Sequence, residues 1–273
     1  MTLEELLSAG RLSDALAARS SALRSQPSDL DARWELAVLL CFAGELDRAV
    51  LQLDALTRQN ADLGMSLAIT RSLLLAEAER NAVHRREGQP LLPPDCPAHV
   101  EARLAALQAL RRGDVEQARV ALERAEKERP EVSAEIDGER FADLRDYDDL
   151  LGPVLEVYAG GRYLWVPFER VKRIELAAPA QLIDLLWPQA TLEDVTGSEA
   201  HVHLPALYVG SGEAADDAVR LGRTTEWIDQ AGLLYRGLGQ KTWLAQRADA
   251  EREIGLLQVR RLAIEQPDGP QHV

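Results

Sequence analysis

The amino-acid sequence predicts an N-terminal array of helical hairpins followed by a small strand-rich α+β domain. Three observations carry that reading. Glycines 10, 44 and 113 are flanked by small or apolar residues at matching offsets. Gly160 and Gly161 split a run of alternating β-formers. The acidity of the chain also changes midway: residues 1–130 carry 17 Lys/Arg against 20 Asp/Glu, residues 131–273 carry 14 against 25.

Around Gly44, Leu36 and Leu40 lie eight and four residues before, Ala49 and Leu53 five and nine after. The same offsets from Gly113 select Ala105, Ala109, Ala118 and Leu122, with Ala125 and Pro130 following. From Gly10 they select Leu6, Ala15, Ala22 and Pro27. Glycines 10 and 44 are 34 residues apart, and 44 and 113 are 69 apart, close to two such periods. Glycine lets the chain leave a helix through a left-handed cap. A small residue five positions on lets the return helix pack closely, and proline closes the unit because a helix cannot run through it. This is the grammar of a tetratricopeptide (TPR)-like repeat, whose hairpins must stack to bury their apolar faces. The plain alternative is an unrelated helical bundle with glycine loops.

Taken in order, the predicted helices are Leu3–Ala9 with Leu12–Arg24, Asp29–Ala43 with Leu46–Gln59, a longer helix from Asp62 to about Arg86, and Val100–Arg112 with Val115–Arg129. The long one has no glycine at 78, where the third unit should turn, and the proline-rich 88–97 after it reads as an extended connector. The helical domain is assigned to 1–130 and an acidic connector, with Asp143, Asp146, Asp148 and Asp149, to 131–152.

Residues 153–266 form the strand-rich domain and 267–273 a frayed tail. Pro153–Phe168 reads as a hairpin turning at Gly160-Gly161. Further strands are expected at 170–176, 190–196, 200–204, 242–245 and 256–264, a short helix at 180–186, and glycine joints at 210–212 and 237–239. A curled, barrel-like sheet is one arrangement this pattern admits.

The net charge of −14 argues against nucleic acid or an anionic membrane as partner. A basic amphipathic protein segment is the natural electrostatic match. Two cysteines, Cys41 and Cys96, make no disulfide framework. The opening MTLEELLSAG has acids where a secretory signal needs basic residues, so a cytoplasmic protein is expected.

Catalytic chemistry finds little support. His201 and His203 share a strand face with Glu199 and could ligate a metal, but polar alternation on an exposed face explains them as well. The aspartates at 143–149 lack the spacing and central glycine of a calcium loop. The glycine pairs at 210–212 and 237–239 lack a phosphate-loop lysine at the needed spacing, and no G-x-S-x-G elbow is present. The expectation is a protein without enzymatic activity, cofactor or metal.

Beyond the repeats, the sequence holds VPFERVKRIEL (166–176), DLLWP (184–188), HLPALY (203–208) and RGLGQKTWL (236–244). With the repeats before them, these segments resemble the ImpE family, also called TagJ or SciE-type proteins, over nearly the whole chain. The resemblance implies an accessory component of bacterial type VI secretion. It implies an adaptor that binds the N-terminal helix of the small sheath subunit TssB and is thereby connected to sheath turnover by the ATPase ClpV. It carries no catalytic residue set. The alternative is a general TPR-type peptide-binding co-chaperone unrelated to secretion.

By analogy with this repeat class, positions thirteen, ten, six and three before the turn glycine face the concave side. They name Asp31, Trp34, Val38 and Cys41 in the second pair, and Val100, Arg103, Leu107 and Leu110 in the last. An apolar floor with one tryptophan suits a helix laid into a groove. Plain core packing is the competing reading for Val38, Leu107 and Leu110.

Overall fold

The structure is a computed structural model, describing residues 1–247 and 250–265. The helical half contains α1 (Leu3–Ser8), α2 (Leu12–Ser25), α3 (Leu30–Phe42), α4 (Leu46–Gln59), α5 (Leu63–Ser66), α6 (Ala68–Arg85), α7 (Ala98–Arg111) and α8 (Val115–Glu128). Gly10, Gly44 and Gly113 turn α1 into α2, α3 into α4 and α7 into α8 at φ of +71°, +71° and +74°. Starts are fixed by side-chain caps: Thr2 and Glu5 form a capping box on α1, and Asp29 and Asp114 accept backbone N–H groups of α3 and α8.

The offsets around the glycines mostly mark buried positions: Leu6, Ala15, Leu36, Leu40, Ala49, Leu53, Ala109, Ala118, Leu122 and Ala125 all lie in the core. Ala105 does not; it faces solvent. The long helix expected at 62–86 is broken into α5 and α6 at Leu67. Gly64 and Ser66, both weak helix formers, occupy the short first piece.

In the second half, residues 131–152, expected as a connector, carry β1 (Ala134–Ile136), β2 (Glu139–Phe141) and β3 (Asp143–Asp146). The aspartates hid β3 because the two within it, Asp143 and Asp146, are buried and bonded rather than solvated. There follow β4 (Val154–Ala159), β5 (Arg162–Pro167), β6 (Val171–Leu176), β7 (Gln189–Asp194) and β8 (Glu199–His203). The short α9 (Asp217–Arg220) precedes β9 (Thr225–Gln230), β10 (Leu234–Gly239), β11 (Thr242–Gln246), β12 (Glu251–Gly255) and β13 (Arg261–Ile264). The hairpin at Gly160-Gly161 is β4–β5, in register from Val154↔Pro167 to Ala159↔Arg162.

Two expectations need adjusting. Residues 180–186 give only a 3-10 turn, Leu182–Leu185, and 256–264 divide into a 3-10 turn and β13. Gly237 and Gly239 are not a joint but lie within β10, where Gly237 leaves room for the Tyr208 ring.

The largest sheet has the order β2-β1-β13-β6-β7-β8-β4-β5 and is open, with β2 and β5 at its edges. Beside it lie a three-stranded sheet, β12-β11-β3, and the β9–β10 hairpin. The proline-rich connector is extended and adds one backbone rung to β5: Leu91 donates to the Tyr163 carbonyl and accepts from the Trp165 N–H, both at 2.9 Å. One hydrophobic core runs unbroken from the repeats, through Phe42, Leu74 and Leu107, to Trp165, Trp187 and Tyr208 of the strand-rich half. A second core, with Phe168, Trp243, Ile174 and Leu262, fills the space between the sheets. Among the described residues, no helix is long and apolar enough to cross a membrane.

Candidate functional site

The helical repeats do not stand free of the strand-rich half; the two enclose a groove of about 510 Å³. One wall is helical, with Trp34 of α3 over Leu67, Thr70 and Leu73. The other comes from the 3-10 turn and the strands beyond it, with Ile183, Asp184, Trp187 and His203. Ile69, 62% exposed, stands at the opening. Asp184 is held in place by its own turn, where one carboxylate oxygen accepts the N–H groups of Ala180 and Gln181 at 2.8 Å. Burial lowers the pKa of His203 below the ordinary imidazole value, against the opposing charge of Asp184. The imidazole is therefore neutral at pH 7.

Of the residues singled out in the second helical pair, Asp31 and Trp34 line this groove. Val38 and Cys41 sit beneath it in the core, 2% and 8% exposed. Burial pushes the Cys41 thiol up, and it donates to the Ala37 carbonyl. Such a thiol packs as a small apolar group and is inert.

The last pair has no open concave face, because the strand-rich half fills it. Val100 and Leu107 are buried, and Leu110 packs against the same core. Arg103 donates to the carbonyls of Asp149 (2.8 Å) and Leu150 (3.2 Å) and to Glu126 (2.9 Å). Gly152 lies directly against its guanidinium, where a Cβ would collide. The helical pattern placed these residues on the inner face, but could not reveal that the chain itself covers that face. Among the groove residues that the pattern missed are Ile183, Asp184, Trp187 and His203 of the strand-rich half. Three of them lie in or beside the DLLWP segment, whose acid next to large apolar residues was the available signal.

Behind the groove, a buried polar network pins the two halves together. Arg80 of α6, 2% exposed, forks onto Glu156 of β4 through Nε (2.8 Å) and Nη2 (2.7 Å). Lys241 Nζ reaches the same carboxylate at 2.5 Å and Asp146 at 3.3 Å. Tyr163 donates to Glu156 and accepts from Trp165 Nε1. Glu77, also on α6, accepts from Tyr158 and from Trp187 Nε1. Burial pushes the Glu156 carboxyl up, but the Arg80 and Lys241 charges outweigh it and hold it well below the usual carboxylate range. Asp146 comes out the other way: burial raises it to about 6 despite Lys241. Each charge here has a charged or hydroxyl partner, so the cluster acts as a structural lock.

His201 Nδ1 lies 3.3 Å from Thr191 Oγ1 on β7, whereas His203 turns to the groove. Among the described residues, no three His, Cys, Asp or Glu side chains converge in a way that could hold a metal ion.

The fold is thus that of a TPR-like helical scaffold joined through a buried seam to an antiparallel strand-rich domain. A tetratricopeptide-repeat model matches residues 6–65, and the model described as ImpE protein matches 138–263. The chain is 36% identical over 268 residues to the type VI secretion system accessory component TagJ of Pseudomonas aeruginosa, covering 98% of this chain and 92% of that protein. The chain belongs to the ImpE family. The crystal structure of a protein from Vibrio parahaemolyticus superposes with a TM-score of 0.89 at 25% identity, over 98% of both chains.

Proposed function

We propose that this protein is a non-enzymatic cytoplasmic adaptor of a type VI secretion system. In this reading it binds the N-terminal helix of the small sheath subunit TssB in the groove between its two halves, and thereby links the sheath to turnover by ClpV. Kinship with TagJ supports the accessory role. The observation that carries the binding mode is the groove itself, where Trp34 on one wall faces Ile183 and Trp187 on the other. A bound segment satisfies its own backbone best as a helix. The walls are helices, a 3-10 turn and strands already paired with each other, so an extended peptide would find no edge for its N–H and C=O groups.

Titration calorimetry with a TssB N-terminal peptide tests the reading. Binding in the micromolar range is expected, weakened at least tenfold by Trp34→Ala and by Ile69→Glu, whose exposed site spares the fold. Absence of heat at high micromolar peptide, with the protein folded by circular dichroism, removes it.

A further inference from the structure

The groove carries charge of one sign. Among the described residues its lining includes the carboxylates of Asp31 and Asp184, and no lysine or arginine. Asp31 projects from the first turn of α3 and is exposed; Asp184 stands on the opposite wall. The arginines next in sequence to lining residues of α3 and α6 are committed elsewhere: Arg33 donates to Gln52 and to the Pro27 carbonyl, and Arg71 to Asp54 and Thr57. Only one oxygen of Asp184 is taken up by its turn, through the Ala180 and Gln181 N–H groups, which leaves the other for a ligand. His203, the remaining titratable group on the lining, is neutral at pH 7 and cancels neither charge.

From this distribution we infer that the groove selects an amphipathic helix whose apolar stripe is bordered on both flanks by lysine or arginine. One flank meets Asp31 and the other Asp184. The stripe fills the space between Trp34, Ile183 and Trp187. An apolar floor alone would accept any greasy helix; two carboxylates on opposite walls reject acidic flanks and fix how the helix is rotated about its axis. The inference rests on the groove being the docking site, and adds to it the chemistry of the occupant.

Two designed peptides test this alongside the TssB peptide. Both share one apolar stripe; one is flanked by lysines, the other by glutamates. The lysine peptide is expected to bind at least tenfold more tightly, with an affinity that falls as salt rises from about 50 mM to about 500 mM. In the doubly substituted Asp31→Asn, Asp184→Asn protein the preference should shrink to about twofold, because asparagine keeps the turn contact but not the charge. Equal binding of the two peptides, lost in Trp34→Ala, would overturn the charge inference while leaving the groove as the site. Binding of the TssB peptide unaffected by Trp34→Ala and Ile69→Glu would place the site elsewhere and overturn both. If none of the three peptides binds, the groove reading falls and takes this inference with it.

Discussion

The Arg80 guanidinium meets the Glu156 carboxylate in a two-bond fork, with neither side chain open to solvent. Arg80 belongs to the last repeat helix before the connector and Glu156 to the first strand of the β4–β5 hairpin, so this pair joins the two halves of the chain. Glu156→Gln would leave Arg80 and Lys241 buried beside a neutral amide. Breaking a buried pair from one side costs about 3–5 kcal/mol. Urea unfolding at pH 7 should show a loss of that size, and a loss under about 1 kcal/mol would mean that the network contributes little.

Asp146 predicts a pH effect of opposite sign to that of Glu156. Its folded-state pKa is raised to about 6 from an ordinary 3.8. Its contribution to stability is therefore fully present below pH 3.8 and is lost as pH rises through about 6. Asp146→Asn should make the protein more stable at pH 8, by up to about 3 kcal/mol, with the gain vanishing near pH 4. Asparagine Oδ1 can still accept from the Tyr208 hydroxyl and the Asp148 N–H, and Lys241, which loses its 3.3 Å contact to the other oxygen, keeps Glu156 at 2.5 Å as its charge partner. Denaturation curves across that range measure the difference.

Two glycines should respond differently to the same change. Gly113 has positive φ and open space around it, so Gly113→Ala meets only the left-handed backbone penalty, about 1–2 kcal/mol. Gly212 has an ordinary φ but packs on the α3–α4 turn, and its Cβ would stand 2.5 Å from the Gly44 nitrogen. Backbone cannot rotate out of the way, so Gly212→Ala should cost about 2–3 kcal/mol and loosen the seam. Melting temperatures of the two variants rank them.

Because both walls of the groove belong to one continuous core, a bound helix should stabilise the whole protein in a single transition. At a hundredfold excess over Kd the gain is about 2.7 kcal/mol, or roughly 5–10 °C in Tm for a chain of this size. A calorimetric scan in which peptide shifts only part of the unfolding endotherm would contradict that.

The repeats could be read from the sequence because their rules are local: a glycine turn, a small residue at fixed distance, a proline stop. The β4–β5 hairpin was visible for the same reason. What stayed hidden was decided across the chain. β3 looked like a solvated acidic run because only the fold brings Arg129 to Asp143 and Lys241 to Asp146. β9, β10 and β12 carry polar or glycine residues that make sense only against neighbours such as Tyr208. The groove was half legible. Trp34 and Asp31 follow from repeat periodicity, whereas Ile183, Trp187 and His203 arrive from a domain whose docking no periodicity encodes.

The rung at Leu91 also bears on self-association. β5 reads RYLWVP, a short aromatic and β-branched strand at the margin of an eight-stranded sheet. Such margins recruit strands from other molecules when left bare. The connector shields this one on its outer side, so the proline-rich segment works as a stopper as well as a link. Shortening it, or replacing Leu91 by proline to remove the donated N–H, should raise the tendency to aggregate on concentration.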